Sequence, residues 1–211
     1  MFVWSSFLDL LRVSLFALAH VCGGSLGGGI VVLSLIIRVA LLPLTLRLAI
    51  RAREMEDAKR RLQPKVDALK KRYATRPVEL LVATRELYAA NGIGAMPKGA
   101  LRGALLQLPV AGGIYRTIEA VARNAVGFLW VKDLSRPDAV VASVAAGLAG
   151  AAVMVGPASP TTRTTAGLAA VVTFLLAWRL SAGVGLYWMA SNVVGVVQSL
   201  LVRRAASKQP A

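Results

Sequence analysis

Long apolar runs alternate along this chain with segments that are dense in lysine and arginine. Five runs are mostly uncharged and, at about 17–23 residues each, are long enough to cross a bilayer as helices. They are residues 30–50, 99–121, 139–156, 164–180 and 183–202. Hydrophobic residues make up 56% of the sequence, which is more than a single soluble core accommodates. The pattern predicts an all-α, polytopic membrane protein with a five-helix transmembrane bundle.

The first 22 residues are predicted to form a helix of a different kind. Apolar residues follow helical spacing along one side and polar residues fall on another; the apolar set is Trp4, Leu8, Leu11, Leu15 and Leu18. This pattern is typical of a helix lying along a membrane surface, so we predict an outer-surface amphipathic helix over residues 1–22. Asp9 and Arg12 interrupt the apolar stretch, which argues against a cleaved signal peptide. An uncleaved membrane anchor is the alternative.

The segment between the first two runs, residues 51–98, is too long for a bare connection. Apolar residues recur at steps of three and four from Met55 to Tyr73, a break follows at Pro77, and a second helical stretch runs over residues 78–90. We predict an antiparallel helical hairpin in the cytoplasm, with its apolar stripes facing each other and its basic faces outward.

The positive charge of the chain is unevenly placed. The formal net charge is +15, and lysine and arginine concentrate in residues 51–98 and in the tail, residues 203–211. The positive-inside rule puts both segments in the cytoplasm, so five spans require the N-terminus outside. The same charges are expected to attract anionic lipids or ribosomal RNA.

Reactive side chains are too few for most enzyme mechanisms or metal sites. Cys22 is the single cysteine and His20 the only histidine, so the sequence lacks the ligands for a thiolate cluster or a histidine metal site. An intramembrane hydrolase needs a nucleophile and a base within the spans, and His20 lies outside them. Ser25 stands in a glycine-rich stretch that indicates a hinge between two helices. We predict a protein that is not an enzyme and uses no cofactor and no metal.

One charged residue stands at the centre of the first apolar run. Arg38 at mid-bilayer costs roughly 2.5–3.5 kcal/mol on insertion scales, so it is tolerated only where it faces water or a partner. On an ideal helix, Ser34 and Thr45 project within roughly 40° of it. We predict that this face of the helix is wet, with Arg38 as a permanent cation.

Polar residues in two other runs also need partners. Gln107 lies within the second run, where an unpaired amide is costly. Tyr187, Ser191 and Gln198 fall on one face of the fifth run. Hydrogen bonding between helices is the simpler explanation for all four, but the cation at Arg38 favours a shared hydrophilic site.

The outer end of the second run is charged as well. Arg116 and Glu119 are three residues apart, the spacing at which side chains meet on a helix, and we expect them to pair. Residues 123–138 then mix basic residues with aspartates, as expected of an outer loop.

Three stretches around the basic segment carry a recognisable pattern. They are residues 36–44, where Arg38 precedes a Leu-Pro-Leu step; residues 105–138, from Leu-Leu-Gln-Leu-Pro-Val to Lys-Asp-Leu-Ser-Arg-Pro-Asp; and residues 183–198, with Tyr187-Trp188 and Ser191-Asn192. In this order they resemble the YidC/Oxa/Alb family of membrane protein insertases, over residues 2–204. Ser181 stands where that family commonly has a proline.

The resemblance implies a membrane insertase and chaperone for protein transport in the bacterial plasma (inner) membrane. It implies a hydrophilic groove, open to the cytoplasm and to lipid but closed outside, that binds substrate through Arg38, Gln107, Ser34, Thr45, Tyr187, Ser191 and Gln198. The implied partners are nascent membrane proteins, anionic lipids, the ribosome through the basic hairpin and tail, and a larger translocon; DNA is not expected. The alternative is a small channel or transporter with an anion site at Arg38, which predicts two related halves.

Overall fold

The chain folds almost entirely into helices, as seen in a computed structural model that describes residues 2–94, 100–123, 125, 127–156 and 161–207. The helices are α1 (Phe2–Val21), α2 (Leu26–Arg72), α3 (Pro77–Ala90), α4 (Ala100–Ala122), α5 (Ala139–Val155), α6 (Thr162–Arg179) and α7 (Ala182–Ser207). Within these ranges the one extended pairing is an isolated bridge between Phe128 and Val131. The all-α class is confirmed, whereas the five-helix transmembrane bundle stays a prediction.

Three helices are long and apolar enough to cross a membrane, judged by length and composition in the described residues. They are Trp4–Val21 within α1, α2 itself, and Ala182–Arg204 within α7; α5 is apolar but shorter. Because α1 meets this criterion, the anchor alternative for the N-terminal stretch stays open beside the surface helix. Some predicted boundaries lie outside the described residues: the end of the hairpin at 95–98, the start of the second span at Gly99, and the tail residues 208–211.

Helix α2 is longer than the predicted first span. It does not end near Ile50 but continues to Arg72 as a single helix of 47 residues. No glycine interrupts it after Gly29, and the lysine, arginine, glutamate and alanine residues after Ile50 are good helix formers. The predicted span and the predicted first arm of the hairpin are therefore parts of one helix.

The described chain divides into two compact units. The first unit comprises Met1–Pro43 with Leu106–Ala211, and the second comprises Leu44–Leu105. In the first unit, α1, α2, α4, α7 and the segment before α5 each contribute to one core; fully buried members are Leu15, Ile30, Ile118, Leu134 and Leu186. Because lipid tails are themselves apolar, close packing rather than water exclusion stabilises such contacts inside a membrane.

A glycine permits the close approach of α1 and α2. A Cβ atom at Gly29 would lie 2.9 Å from the backbone nitrogen of Ala19 and 3.0 Å from the carbonyl oxygen of Leu15. The turn between these helices contains Gly23 and Gly24 at φ 69° and 85°, a region that favours glycine. The glycine-rich stretch thus brings α1 back against α2.

Residues 127–138 pack against the start of α7. Val131 and Leu134 are buried there, and two carbonyl groups accept hydrogen bonds from the first turn of α7: Arg136 O from Ala182 N at 2.8 Å, and Leu134 O from Gly183 N at 3.0 Å. These bonds satisfy N–H groups that a helix cannot satisfy itself. Residues 134–136 therefore cap α7.

Two aspartates order the same segment. Asp133 accepts hydrogen bonds from the Ser135 hydroxyl at 2.6 Å and the Ser135 N–H at 2.9 Å, which hold the pKa of this carboxyl below its usual range. Asp138 then caps α5 by accepting from Val141 N at 2.8 Å. Local hydrogen bonds therefore fix both the segment and the start of α5.

The second unit contains the charged part of α2 and all of α3. Leu62 and Val66 are buried on α2, whereas α3 has no buried residue. The two helices are joined by residues 73–76, and α3 begins at Pro77, whose fixed φ suits the first helical position. The antiparallel pairing of the two arms remains a prediction.

Candidate functional site

Arg38 lies on α2 in the first unit and is half-buried. Its Nε atom is buried and has no hydrogen-bond partner in the described part of the chain. A guanidinium keeps its proton at any physiological pH, so burial does not neutralise it. The side chain therefore carries a full charge, and its buried Nε is not satisfied by any of the described residues.

Arg38 lines two neighbouring cavities. The larger has a volume of about 580 Å³, and its lining includes Arg38, Leu108, Tyr115, Thr173, Tyr187 and Ser191. The smaller has a volume of about 450 Å³, and its lining includes Arg38, Gly156, Ser191, Asn192, Gln198 and Ser199. We call the two cavities together the Arg38 groove. No aspartate or glutamate lines either cavity in the described residues.

Arg38, Ser191 and Asn192 belong to the lining of both cavities. Ser191 is only 4% exposed, and its Oγ has no hydrogen-bond partner among the described residues. An unsatisfied buried polar group costs about 1–3 kcal/mol, which a water molecule in a polar and sufficiently large cavity relieves. The centre of the groove is therefore suited to water or to a polar ligand.

Asn192 holds one wall of the groove together. Its Nδ2 donates to the carbonyl oxygen of Ala145 at 2.9 Å, which links α7 to α5. The bond is a hydrogen bond between packed helices. The place of Asn192 in the lining was not predicted, although its position next to Ser191 is a usable signal.

The structure brings four of the predicted site residues together. Arg38, Tyr187, Ser191 and Gln198 line one or both cavities of the groove, and Tyr187 is nearly buried. Tyr115 and Thr173 also line the larger cavity but were not predicted, because neither stood out by charge or by a polar face.

Three predicted residues are placed differently. Ser34 is 1% exposed and its hydroxyl donates to the carbonyl oxygen of Ile30 at 2.5 Å, so its own helix satisfies it. Gln107 is half-buried on α4, outside the lining of both cavities. Thr45 belongs to the second unit. Roles in substrate binding for these three remain predictions.

The expected pairing of Arg116 with Glu119 is not found among the ion pairs of the described residues. Glu119 Oε1 instead accepts a hydrogen bond from the Ser181 hydroxyl at 2.6 Å. Ser181 directly precedes α7, so this bond links α4 to the start of α7. The Ser181 hydroxyl, which is distant in sequence, is therefore the partner of Glu119 in place of the nearby Arg116.

Comparison with known proteins gives a consistent result. Residues 17–209 match the family model described as 60Kd inner membrane protein. The membrane protein insertase YidC of Clostridium tetani is 29% identical over 201 residues, which cover 89% of this chain and 86% of the relative. The YidC of Wolinella succinogenes is 31% identical over 203 residues, which cover 89% of this chain but 36% of that longer protein.

A solved structure agrees at the level of the fold. A crystal structure of an active YidC insertase, with its first transmembrane domain resolved, matches with a TM-score of 0.65 at 21% sequence identity. The match covers 98% of this chain and 46% of that chain. With the family model matching most of the sequence, this chain belongs to the YidC/Oxa/Alb family.

Proposed function

We propose that this chain is a membrane protein insertase of the bacterial inner membrane. The observation that carries the proposal is the unneutralised Arg38, which lies in the lining of two cavities together with the unsatisfied Ser191 hydroxyl. The names of the relatives, membrane protein insertase, support the same function.

The groove receives a short hydrophilic segment of a nascent membrane protein. Arg38 and confined water lower the cost of bringing polar groups partway across the bilayer, and the cation attracts carboxylates in the segment. Ser191, Tyr187 and Gln198 offer hydrogen-bonding groups along the same wall. Gln107, Ser34 and Thr45 are proposed as further contacts.

Release is driven by the substrate itself. An apolar segment that moves from water into lipid gains about 0.8 kcal/mol per CH₂ group, so the step needs no nucleotide and no covalent intermediate. The groove is proposed to open to the cytoplasm and to lipid and to be closed outside. The N-terminus is then outside and the basic tail in the cytoplasm, as the positive-inside rule predicts.

Several partners are proposed from charge. The basic residues of α2 after Ile50 attract anionic headgroups or ribosomal RNA, as do Arg203 and Arg204 at the end of α7. A larger translocon is a further proposed partner. Association through these charges should weaken as the salt concentration rises.

Reconstitution tests the function directly. The purified full chain is placed in liposomes, and insertion of a single-span client with an acidic outer segment is measured by protease protection. We expect insertion by the natural protein and a loss of roughly tenfold or more with Arg38→Ala, since a buried charge interaction is worth about 1.5–3 kcal/mol. The matched control is Arg47→Ala, which removes an exposed arginine from the same helix.

The same liposomes test the alternative. A channel or transporter with an anion site at Arg38 predicts anion flux that disappears in the Arg38→Ala variant. Flux without client insertion would overturn the insertase and support the channel.

A further inference from the structure

A third cavity, outside the Arg38 groove, lies between α1 and α4 of the first unit. Its volume is about 450 Å³, and it is lined by Leu8 and Arg12 of α1, by residues of α4, and by Arg123, which directly follows α4. Three arginines belong to its lining: Arg12, Arg116 and Arg123. The proposed insertion steps use none of them. We call this cavity the arginine pocket.

The arginine pocket has an excess of positive charge. Its lining contains one carboxylate, Glu119, and an oxygen of that carboxylate already accepts the Ser181 hydroxyl. Arg12 lies 3.7 Å from an Asp9 oxygen, and both side chains are at least half exposed, so this contact is weak. Arg116 and Arg123 belong to no ion pair within the described ranges. These two arginines are therefore available to an external anion.

The placement of the arginines suits a phosphate group. Arg116 belongs to the last part of α4, and Arg123 directly follows the helix; both line the cavity. A guanidinium presents a planar fork of N–H groups that matches the oxygens of a phosphate. Arg12 adds a third arginine to the lining from α1.

The surroundings of the pocket favour a lipid over a soluble anion. Leu8, Arg12 and Phe16 follow one another at four-residue steps along α1, so they form a row on its surface. Leu8 lines the pocket, and Phe16, at the other end of the row, is 50% exposed. Acyl chains can lie along Leu8 and Phe16, on either side of Arg12, while the headgroup reaches the guanidinium groups. Free phosphate gains nothing from such a surface.

We propose that the arginine pocket binds the phosphate of an anionic phospholipid, with the acyl chains lying along Leu8 and Phe16 of α1. The bound lipid would bridge α1 and α4. Tyr115 lines both this pocket and the larger cavity of the Arg38 groove, so the lipid would sit beside the wall of that cavity. The proposal does not depend on insertase activity.

Lipid titration of the purified full chain tests the proposal. Native mass spectrometry measures binding of phosphatidylglycerol, with phosphatidylcholine in parallel, for the natural protein and for the Arg116→Gln/Arg123→Gln double variant. We expect a preference for phosphatidylglycerol that falls roughly tenfold in the double variant, because charge-assisted hydrogen bonds are lost. The matched control, Arg163→Gln/Arg179→Gln, removes two exposed arginines of α6 and should keep the preference within about twofold.

Other outcomes contradict the proposal in distinct ways. Equal losses in both double variants would show that net charge alone attracts lipid. Displacement of the lipid by millimolar inorganic phosphate would assign the pocket to a soluble anion, and displacement by an acidic peptide would assign it to protein segments. If the double variant fails to fold, as judged by helix content, the single variant Arg123→Gln repeats the comparison, because this residue lies just beyond the end of α4. The preference for phosphatidylglycerol should then fall about threefold.

Discussion

Arg38 differs from the basic residues that have a carboxylate close by in the sequence. Arg12 and Arg136 of the first unit have such a partner, in Asp9 and Asp133. In the second unit, basic residues pair with carboxylates three or four positions away on the same stretch: Arg53 with Asp57 at 2.9 Å, Lys70 with Asp67 at 3.1 Å, and Arg76 with Glu79 at 3.3 Å. In the first unit, Arg38 has Ser34, Leu35, Leu41 and Leu42 at those positions, so its own helix offers no carboxylate.

The difference separates charges that are paired locally from a charge that has no local partner. Local pairs on a solvated helix contribute a few tenths of a kcal/mol each, and their loss is small. A cation without a local carboxylate, placed in a cavity, remains free to attract a charged segment from another protein. The comparison therefore predicts that neutralising Arg38 changes activity, whereas disrupting the pairs of the second unit changes local properties only.

The largest expected effect concerns the sign of the client's charge. Arg38→Ala should reduce insertion of clients with acidic outer segments roughly tenfold more than insertion of neutral ones, because only the former lose a charge interaction. Arg38→Lys keeps the charge but not the forked geometry and should retain most of the preference. Insertion rates of paired clients in liposomes measure both. Equal losses on acidic and neutral clients would remove the electrostatic role.

A carboxylate introduced on the same helix should give Arg38 a local partner, such as Arg53 and Arg76 have in the second unit. Leu41→Glu places an acid three residues from Arg38, the spacing at which Arg76 and Glu79 pair. We expect insertion of acidic clients to fall about threefold to tenfold, because the new carboxylate competes for the guanidinium. Leu41→Gln is the control of similar size and polarity without the charge. A similar loss with Leu41→Gln would point to damaged packing instead.

The smallest effect is expected in the second unit. The pKa of Asp67 is lowered mainly by the hydrogen bond from Lys70 and next by that from Gln63. Lys70→Ala should raise this pKa towards its usual value and leave insertion unchanged. NMR titration of the aspartate carboxyls measures the shift. A marked loss of insertion would contradict the assignment of this pair to local stability.

The sign of the pH dependence follows from the lowered pKa. Asp67 contributes to stability at pH values above its ordinary pKa, and this contribution is lost as the pH falls through the lower folded pKa. Removing Lys70 therefore reduces the contribution at neutral pH and shifts its loss to a higher pH. Unfolding measured between neutral and acidic pH, with Gln63→Ala as a second variant, checks the order of the two hydrogen-bond donors.

Much of the candidate site can be predicted from the spacing of residues along a helix and from the free-energy cost of placing a charge inside a bilayer. Arg38 stands out in the sequence because a buried guanidinium needs a reason, and Tyr187, Ser191 and Gln198 share a face by simple geometry. All four line the groove. Local rules suffice here because each helix carries its own polar side into the cavity.

Competing hydrogen-bond partners are the part of the site that helical spacing does not reveal. Angular position places Ser34 beside Arg38 but does not reveal that its hydroxyl bonds to Ile30 O. Spacing pairs Arg116 with Glu119, yet Ser181, which is 62 residues away in sequence, takes the carboxylate. A hydroxyl in a helix always has its own backbone as a rival acceptor. Distant rivals are visible only once the chain has folded.

The cap on α7 couples two surfaces that the sequence keeps far apart. Residues 134–136 hold the first turn of α7 through main-chain bonds, and the same helix carries Tyr187 and Ser191 into the groove. A tilt of α7 that widened the groove would drag this segment along or break those bonds. The position of residues 134–136 and the width of the groove are therefore coupled through α7, and a change that loosens these main-chain bonds should also affect the groove.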